Sequence, residues 1–298
     1  MSLSSSLRAP TVPPPIISGA GSLLENYDVL FCDVWGVVHD GIRAYPRATE
    51  ALIRFRERGG TVILLTNAPV PRPRVEAMLE ARHVPPTTYD GIVSSGGIAL
   101  AHMADIGYRA VHYVGPRERD AAFFAQAKAR DVPLEDAEAV VCTGLVDDVN
   151  ETVEDYRGLL DAARARDLPF VCANPDLVVE VAGRLYLCAG ALADVYEGLG
   201  GEVYWAGKPH MTAYETATSA AATIRGADVA REKILVIGDA VRTDIAGGAR
   251  AGLDALFIAG GIHRDDTMTN GTIEIEKLAR LFPPEAPRAI AAMGHLAW

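Results

Sequence analysis

The chain has 298 residues, 49% of them hydrophobic and 22% charged, which is ordinary globular usage and enough for one large domain or a core carrying a second unit. A formal net charge of -11 disfavours nucleic acid and anionic membrane surfaces as partners, so an anionic substrate would need local cations. No apolar run reaches the length that crosses a bilayer.

The first stretch, MSLSSSLRAPTVPPP, is rich in Ser and Pro and lacks the apolar segment of a signal peptide, so residues 1–20 are expected to form a flexible arm. From Tyr27 onward, short β-rich runs alternate with amphipathic stretches: YDVLFCD, PRATEALIRFRERGG, TVILLT and PRPRVEAMLEARHV. Strands this apolar, separated by helix-length segments, predict an α/β fold with a parallel sheet covered on both faces. A middle block repeats the alternation through AVHYVG, RERDAAFFAQAKARD, AVVCT, VEDYRGLLDAARARD and PFVCA. It reads as an inserted α/β unit at 84–178. The chain is then expected to return to the first sheet at EVYWAG, continuing through HMTAYETATSAAATIRG, KILVIGD, RTDIAGGARAG and DALFIAGG. Residues 21–83 and 179–298 thus make the core. SSGGIAL (94–100) lacks the GK[ST] of a phosphate-binding loop and reads as a connection into a helix near the hinge. The tail, ending FPPEAPRAIAAMGHLAW, reads as a short helix or docking segment.

Cys32, Cys142, Cys172 and Cys188 lie far apart, in or beside apolar runs, with no CxxC and no histidine pattern for zinc. They read as buried thiols in a reducing cytoplasm. The histidines show no HExxH or paired metal spacing, so zinc chemistry is not expected.

Open α/β sheets bind ligands beyond the carboxyl ends of their strands. Four such places carry polar residues: Asp33 after VLFC, Thr66-Asn67 ending TVILLTN, Lys208 in WAGKP, and Asp239 in VIGDAVRTD with Asp244 behind it. Any one of them alone would be a cap, a turn former or a solvated lysine. In this order, all at strand ends, they form a phosphoryl-transfer set. Asp33 supplies a carboxylate nucleophile, and Asp33 with Asp239 supplies hard oxygen ligands for Mg²⁺, with Asp244 completing an acidic metal site. Thr66 offers a hydroxyl, Asn67 an amide and Lys208 a point charge to the non-bridging oxygens. Gly36 and Gly238 let the backbone approach the ligand.

On these residues the chain resembles the haloacid dehalogenase superfamily, and within it class IIA, which includes NagD-type sugar and nucleotide phosphatases, para-nitrophenyl phosphatases and phosphoglycolate phosphatases. The match runs from about Tyr27 to Ala259: FCDVWGVVHDG, LLTNAP, AGKP and VIGDAVRTDIAGGARAG stand where that family has its four motifs, and CANPD (172–176) resembles the segment leaving its cap. The resemblance implies a Rossmann-like core, an α/β cap inserted between the second and third motifs, Mg²⁺ dependence and an aspartyl-phosphate on Asp33. It further implies that the backbone carbonyl of Trp35 is a metal ligand and that Asn174, Asp176 and Gly36 lie near the substrate. That substrate would be a small phosphate ester such as a sugar phosphate, a nucleotide or a phosphoglycolate-like acid. Pairing of caps into a homodimer is also implied.

Trp35 departs from the pattern. Family phosphatases place there an aspartate that protonates the leaving oxygen and activates water, assistance worth typically ~10²–10⁴ in rate. Branches with a non-acidic residue at that position include enzymes acting on carbon–halogen or carbon–phosphorus bonds, but a dehalogenase has no use for Asp239 with a metal, so phosphorus chemistry or phosphate binding is expected. His39 and Asp40 are the nearest stand-ins, although VVHDGI is also a good β-turn. An acyl or aryl phosphate would leave without a proton. Two readings follow: a phosphatase acting through Asp33, or a pseudoenzyme that binds a phosphorylated metabolite.

Overall fold

The computed structural model describes residues 13–181 and 183–298. In chain order its strands are β1 (Val29–Cys32), β2 (Thr61–Thr66), β3 (Gly91–Ser94), β4 (Ala110–Val114), β5 (Arg130–Asp131), β6 (Ala139–Cys142), β7 (Phe170–Cys172) and β8 (Val178–Val181). They continue with β9 (Arg184–Leu187), β10 (Val203–Trp205), β11 (Ile234–Gly238), β12 (Asp254–Ile258), β13 (Met268–Thr269), β14 (Thr272–Ile273) and β15 (Ala291–Met293). Six of them form a parallel sheet in the order β15-β12-β11-β1-β2-β3, and five form a second parallel sheet in the order β10-β7-β6-β4-β5. β8 and β9 pair as an antiparallel hairpin, as do β13 and β14.

The first sheet is built by strands whose every residue is buried, VLFC, TVILLT and ILVIG, as expected when helices cover both faces. Alternation divides them: Phe31, Ile63 and Val236 pack with Tyr214 and Ala217 of the helix Met211–Arg225, while Leu30, Leu64 and Ile237 pack with Leu52 and Phe55 of the helix Pro46–Glu57. The second helix opens with Pro46 in its first turn, where the missing N–H costs nothing, and the other ends at Gly226 in the left-handed region.

The boundaries of the insert differ from those expected. β3 pairs with β2, so the chain is still in the first sheet at Ser94. EVYWAG does not return to the core: β10 pairs with β7, and the first sheet resumes only at Ile234. The reason is the helix Ala189–Gly198, whose Ala189, Leu192, Ala193 and Tyr196 pack against Phe170, Cys172 and Trp205, making β7, this helix and β10 one crossover unit of the second sheet. The helix expected over RERDAAFFAQAKARD is confined to Ala121–Gln126, because Arg130 and Asp131 join β4 as an edge strand.

The tail docks as the edge strand β15. Of the expected flexible arm, residues 1–12 lie outside the described residues. Residues 15–20 are fixed to the tail: Ala292 donates to the Pro15 carbonyl, Ile17 to that of Ala292 and Ala20 to that of Ala297. Among the described residues no helix is long and apolar enough to cross a membrane.

Candidate active site

Asp33, Thr66-Asn67 and Asp239 emerge at the carboxyl ends of β1, β2 and β11, and Lys208 reaches them from the loop after β10. All are buried. The Lys208 ammonium donates to Asp33 Oδ1 at 2.5 Å and to Asp244 Oδ1 at 2.7 Å. One oxygen from each of Asp33, Asp239 and Asp244 lies within 4.8 Å of the others. One ammonium against three carboxylates leaves two negative charges uncompensated in a buried site. The titration reflects this. Burial first, then the charge of Asp244, pushes Asp33 up to about 7 against the pull of Lys208. Burial and the charges of Asp33 and Asp244 push Asp239 well above the carboxylate range. Burial opposes the Lys208 charge, but Asp244 and Asp33 outweigh it and hold the ammonium strongly protonated.

Two missing positive charges among hard oxygen donors fit a divalent cation such as Mg²⁺, which takes one or two protein carboxylates and keeps several waters. The donors are not equally free. Asp239 Oδ2 accepts from the Ile262 N–H at 2.7 Å, leaving its other oxygen open, whereas Asp244 spends one oxygen on Lys208 and the other on the Ala240 N–H. Asp244 therefore orients the lysine. Glycines make room for this: a Cβ at Gly36 or Gly261 would fall 2.0 or 1.9 Å from Asp239 Oδ2, and one at Gly238 would fall 2.0 Å from Asp244 Cγ. Gly261 and Ile262 escaped the sequence reading, although the glycine pair closing DALFIAGG was the signal for them.

Two expected roles need correction. Asn67 lines the cleft, but its amide is spent on protein partners: its Nδ2 donates to Asp176 Oδ1 at 2.9 Å and to the Lys208 carbonyl at 3.0 Å, while its Oδ1 accepts from the Lys208 N–H at 2.9 Å. Both hydrogens are spent, so Asn67 ties the lysine loop to the segment leaving β7. Asn174 does not line the cleft; its Oδ1 accepts from the Asp176 N–H at 3.2 Å and shapes the Asn-Pro-Asp turn. Asp176 does line the cleft, as do Thr66, Lys208, Trp35 and Gly36.

Trp35 is half-buried on the cleft wall, its ring so close to Gly41 that a Cβ there would fall 2.6 Å away. His39 meets its edge at 5.3 Å between centroids. His39 is buried, its Nδ1 accepts from the Gly41 N–H at 3.0 Å, and burial foremost lowers its pKa to about 4. It is a neutral turn residue. Asp40 Oδ1 likewise accepts from the Ile42 and Arg43 N–H groups. The turn reading of VVHDGI therefore holds.

The cleft has a volume of about 330 Å³. The carboxylates and Lys208 form its floor, Trp35, Ile42, Tyr45, Ile262 and Arg264 line one part of its wall, and Val178, Val179, Glu180 and Gly183 of the β8–β9 hairpin line another. This hairpin was missed because the expected boundary at 178 assigned it to the core. Its signal is Gly183 between two β-rich runs, LVVEV and RLYL.

Residues 30–129 match a family model described as haloacid dehalogenase-like hydrolase, and residues 205–281 match a HAD-hydrolase-like model. A solved hydrolase of the haloacid dehalogenase-like family from Brucella suis 1330 is 44% identical, with 94% of this chain and 100% of that one covered at a TM-score of 0.82. The chain belongs to this family. This haloacid dehalogenase-like hydrolase is also 25% identical over 267 residues to the 5'-nucleotidase YutF of Bacillus subtilis (strain 168), covering 87% of this chain and 99% of that one. It shares its fold with NagD from E. coli K-12, at 20% identity, 91% and 97% coverage and a TM-score of 0.63. The second sheet lies between the Asn67 and Lys208 segments, where the family resemblance places an inserted α/β cap.

Proposed function

We propose that this chain is a Mg²⁺-dependent phosphatase that hydrolyses the phosphate ester of a small metabolite through an aspartyl-phosphate on Asp33. The observation that carries the reading is the buried set of Asp33, Asp239 and Asp244 with Lys208, two positive charges short of neutrality at the floor of an open cleft. A phosphoryl group brings further negative charge to that floor. Asp33, Asp239 and the Trp35 carbonyl, with Asp244 behind them, would hold Mg²⁺, which would supply the charge that lets an anionic nucleophile approach an anionic ester. The Asp33 carboxylate attacks phosphorus. Lys208 and the Thr66 hydroxyl hold the non-bridging oxygens, and Asn67 keeps the lysine loop in register.

The inserted unit contributes the hairpin wall and so acts on the leaving group rather than on the phosphate. A cleft of about 330 Å³ suits a sugar phosphate, a nucleotide or a phosphoglycolate-like acid. The activity of the relative YutF supports nucleotides within that class. Four buried thiols, none in a disulfide, suit a reducing cytoplasm. The deciding experiment incubates the purified chain and its Asp33→Asn variant with Mg²⁺ and a panel of phosphate esters. Turnover by the wild type alone, with beryllofluoride trapped at Asp33, is expected. Tight binding of an ester with no phosphate released over long incubation would instead make the chain a binder of phosphorylated metabolites.

A further inference from the structure

The reaction above needs a proton for the leaving oxygen, and Trp35 has none to give in the useful range. Besides the floor carboxylates and the cations Lys208 and Arg264, four side chains with an acidic proton line the cleft and compete with His39 for the role: Asp40, Tyr45, Asp176 and Glu180. His39 is sealed and neutral, with its Nδ1 already accepting from Gly41. Asp40 has its carboxylate committed to the Ile42 and Arg43 N–H groups, which lower its pKa against slight burial. Burial raises the Tyr45 phenol, making it a weaker acid. Glu180 reaches the cleft from β8, and no hydrogen bond among the described residues fixes its carboxylate.

Asp176 is different. Its Oδ1 is held by Asn67 Nδ2 at 2.9 Å, and its own N–H is tied to Asn174 Oδ1, so both its backbone and its carboxyl are pinned. Its Oδ2 has no protein partner among the described residues, and the side chain lines the cleft. The amide that holds it also makes two hydrogen bonds to the Lys208 backbone, so proton carrier and phosphate-binding cation are positioned by one side chain. We propose that Asp176 is the proton carrier of this reaction, a proposal that rests on the phosphatase reading. In the first half, Asp33 forms a bond to phosphorus, the bond from phosphorus to the ester oxygen breaks, and the Asp176 proton passes to that oxygen, releasing the alcohol. In the second, the Asp176 carboxylate takes a proton from water as the water oxygen attacks phosphorus. The bond to Asp33 then breaks, returning its carboxylate, inorganic phosphate and protonated Asp176.

The electrostatic surroundings agree. Burial raises the Asp176 pKa first, the Asp244 charge adds to it, and Asn67, Lys208 and Arg242 oppose. The thiols of Cys172 and Cys188 lie within reach of its charge, both with pKa values raised by burial and so uncharged.

The test compares wild type, Asp176→Asn, Asp176→Glu, Glu180→Gln and Asp33→Asn, with Mg²⁺, on 4-nitrophenyl phosphate and an alkyl phosphate across pH. Asparagine can still accept from Asn67 but carries no proton to transfer. Asp176→Asn is expected to lose ~10²–10⁴ in kcat/KM on the alkyl ester and far less on the nitrophenyl ester, whose leaving group departs as a stable anion. Its kcat should fall on both esters, with a burst of nitrophenol matching the enzyme, because the base that activates water is gone too. The alkaline limb of the alkyl kcat/KM profile should disappear, and Asp176→Glu should restore part of it. The burst also reports a folded site. Equal losses on both esters with an unchanged pH profile would reduce Asp176 to a positioning residue and overturn the proposal. So would wild-type behaviour of Asp176→Asn with the selective loss appearing in Glu180→Gln. Either result, with turnover still dependent on Asp33, sinks this proposal alone, whereas a wild type as silent as Asp33→Asn on every ester sinks the phosphatase reading with it.

Discussion

At the scale of single residues, His39 and Lys208 show how burial decides between roles that sequence leaves open. His39 sits beside the nucleophile segment and has the right chemistry for proton transfer, yet its Nδ1 is spent on Gly41 and its pKa is lowered to about 4. A histidine that refuses a proton when folded but takes one near the ordinary value when unfolded contributes stability that is fully present above about pH 6.5 and is lost as pH falls through that value toward about 4. The loss from about pH 7 to about pH 5 should be roughly 2 kcal/mol. His39→Asn, which keeps an acceptor near Nδ1, should remove that share of the acid slope in urea unfolding at the two pH values, whatever it does to absolute stability. Equal slopes in variant and wild type would show that His39 does not resist protonation. Lys208 was legible as a phosphate contact but not as the ammonium that bridges two buried carboxylates. Lys208→Met keeps most of the volume and removes the charge, so it should abolish turnover and also cost about 3–5 kcal/mol near neutral pH, as broken buried ion pairs do. A variant that is inactive but as stable as wild type would confine Lys208 to ligand binding.

At the scale of elements, β1, β2, β11 and β12 were legible because strands buried on both faces write continuous apolar runs, and because polar residues at their ends mark the ligand side. What was not legible is partnership. Nothing in EVYWAG says whether it pairs with β1 or β7; that is settled by the helix Ala189–Gly198 packing on Phe170 and Cys172. The misplaced boundary concealed the β8–β9 hairpin. The role of Asn67 was hidden for the same reason, since both its partners lie more than 100 residues away, at Asp176 and Lys208. Its position as a cross-link between elements predicts a stability effect that a phosphate donor would not have. Asn67→Ala leaves the buried Lys208 N–H and carbonyl without their partner, each costing ~1–3 kcal/mol. Chemical denaturation of Asn67→Ala without any phosphate ligand should therefore show a loss of about 2–4 kcal/mol. A change below about 0.5 kcal/mol, the usual effect of a surface substitution, would return Asn67 to the phosphate site.

At the scale of the whole molecule, a chain with a formal charge of -11 concentrates three buried carboxylates at the floor of one cleft. The arrangement costs stability until a cation arrives, and that is a property of the folded state as a whole. Mg²⁺ that binds only the native protein stabilises it by mass action, about 2.7 kcal/mol when present at a hundredfold its dissociation constant. The raised pKa of Asp239 gives the matching prediction without metal. A group whose folded pKa is raised above its unfolded value destabilises the fold once the pH is high enough to ionise it when unfolded. Asp239→Asn removes that penalty and keeps an acceptor for the Ile262 N–H. The variant should melt at a higher temperature than wild type in chelator at neutral pH, and the order should reverse as Mg²⁺ is added, because only the wild type gains. At acidic pH, with Asp239 protonated, the difference in chelator should vanish. Equal gains from Mg²⁺ in both proteins would remove Asp239 from the metal site. A variant less stable than wild type in chelator would show that the Asp239 carboxyl itself supports the metal-free fold and is not held ready for a cation.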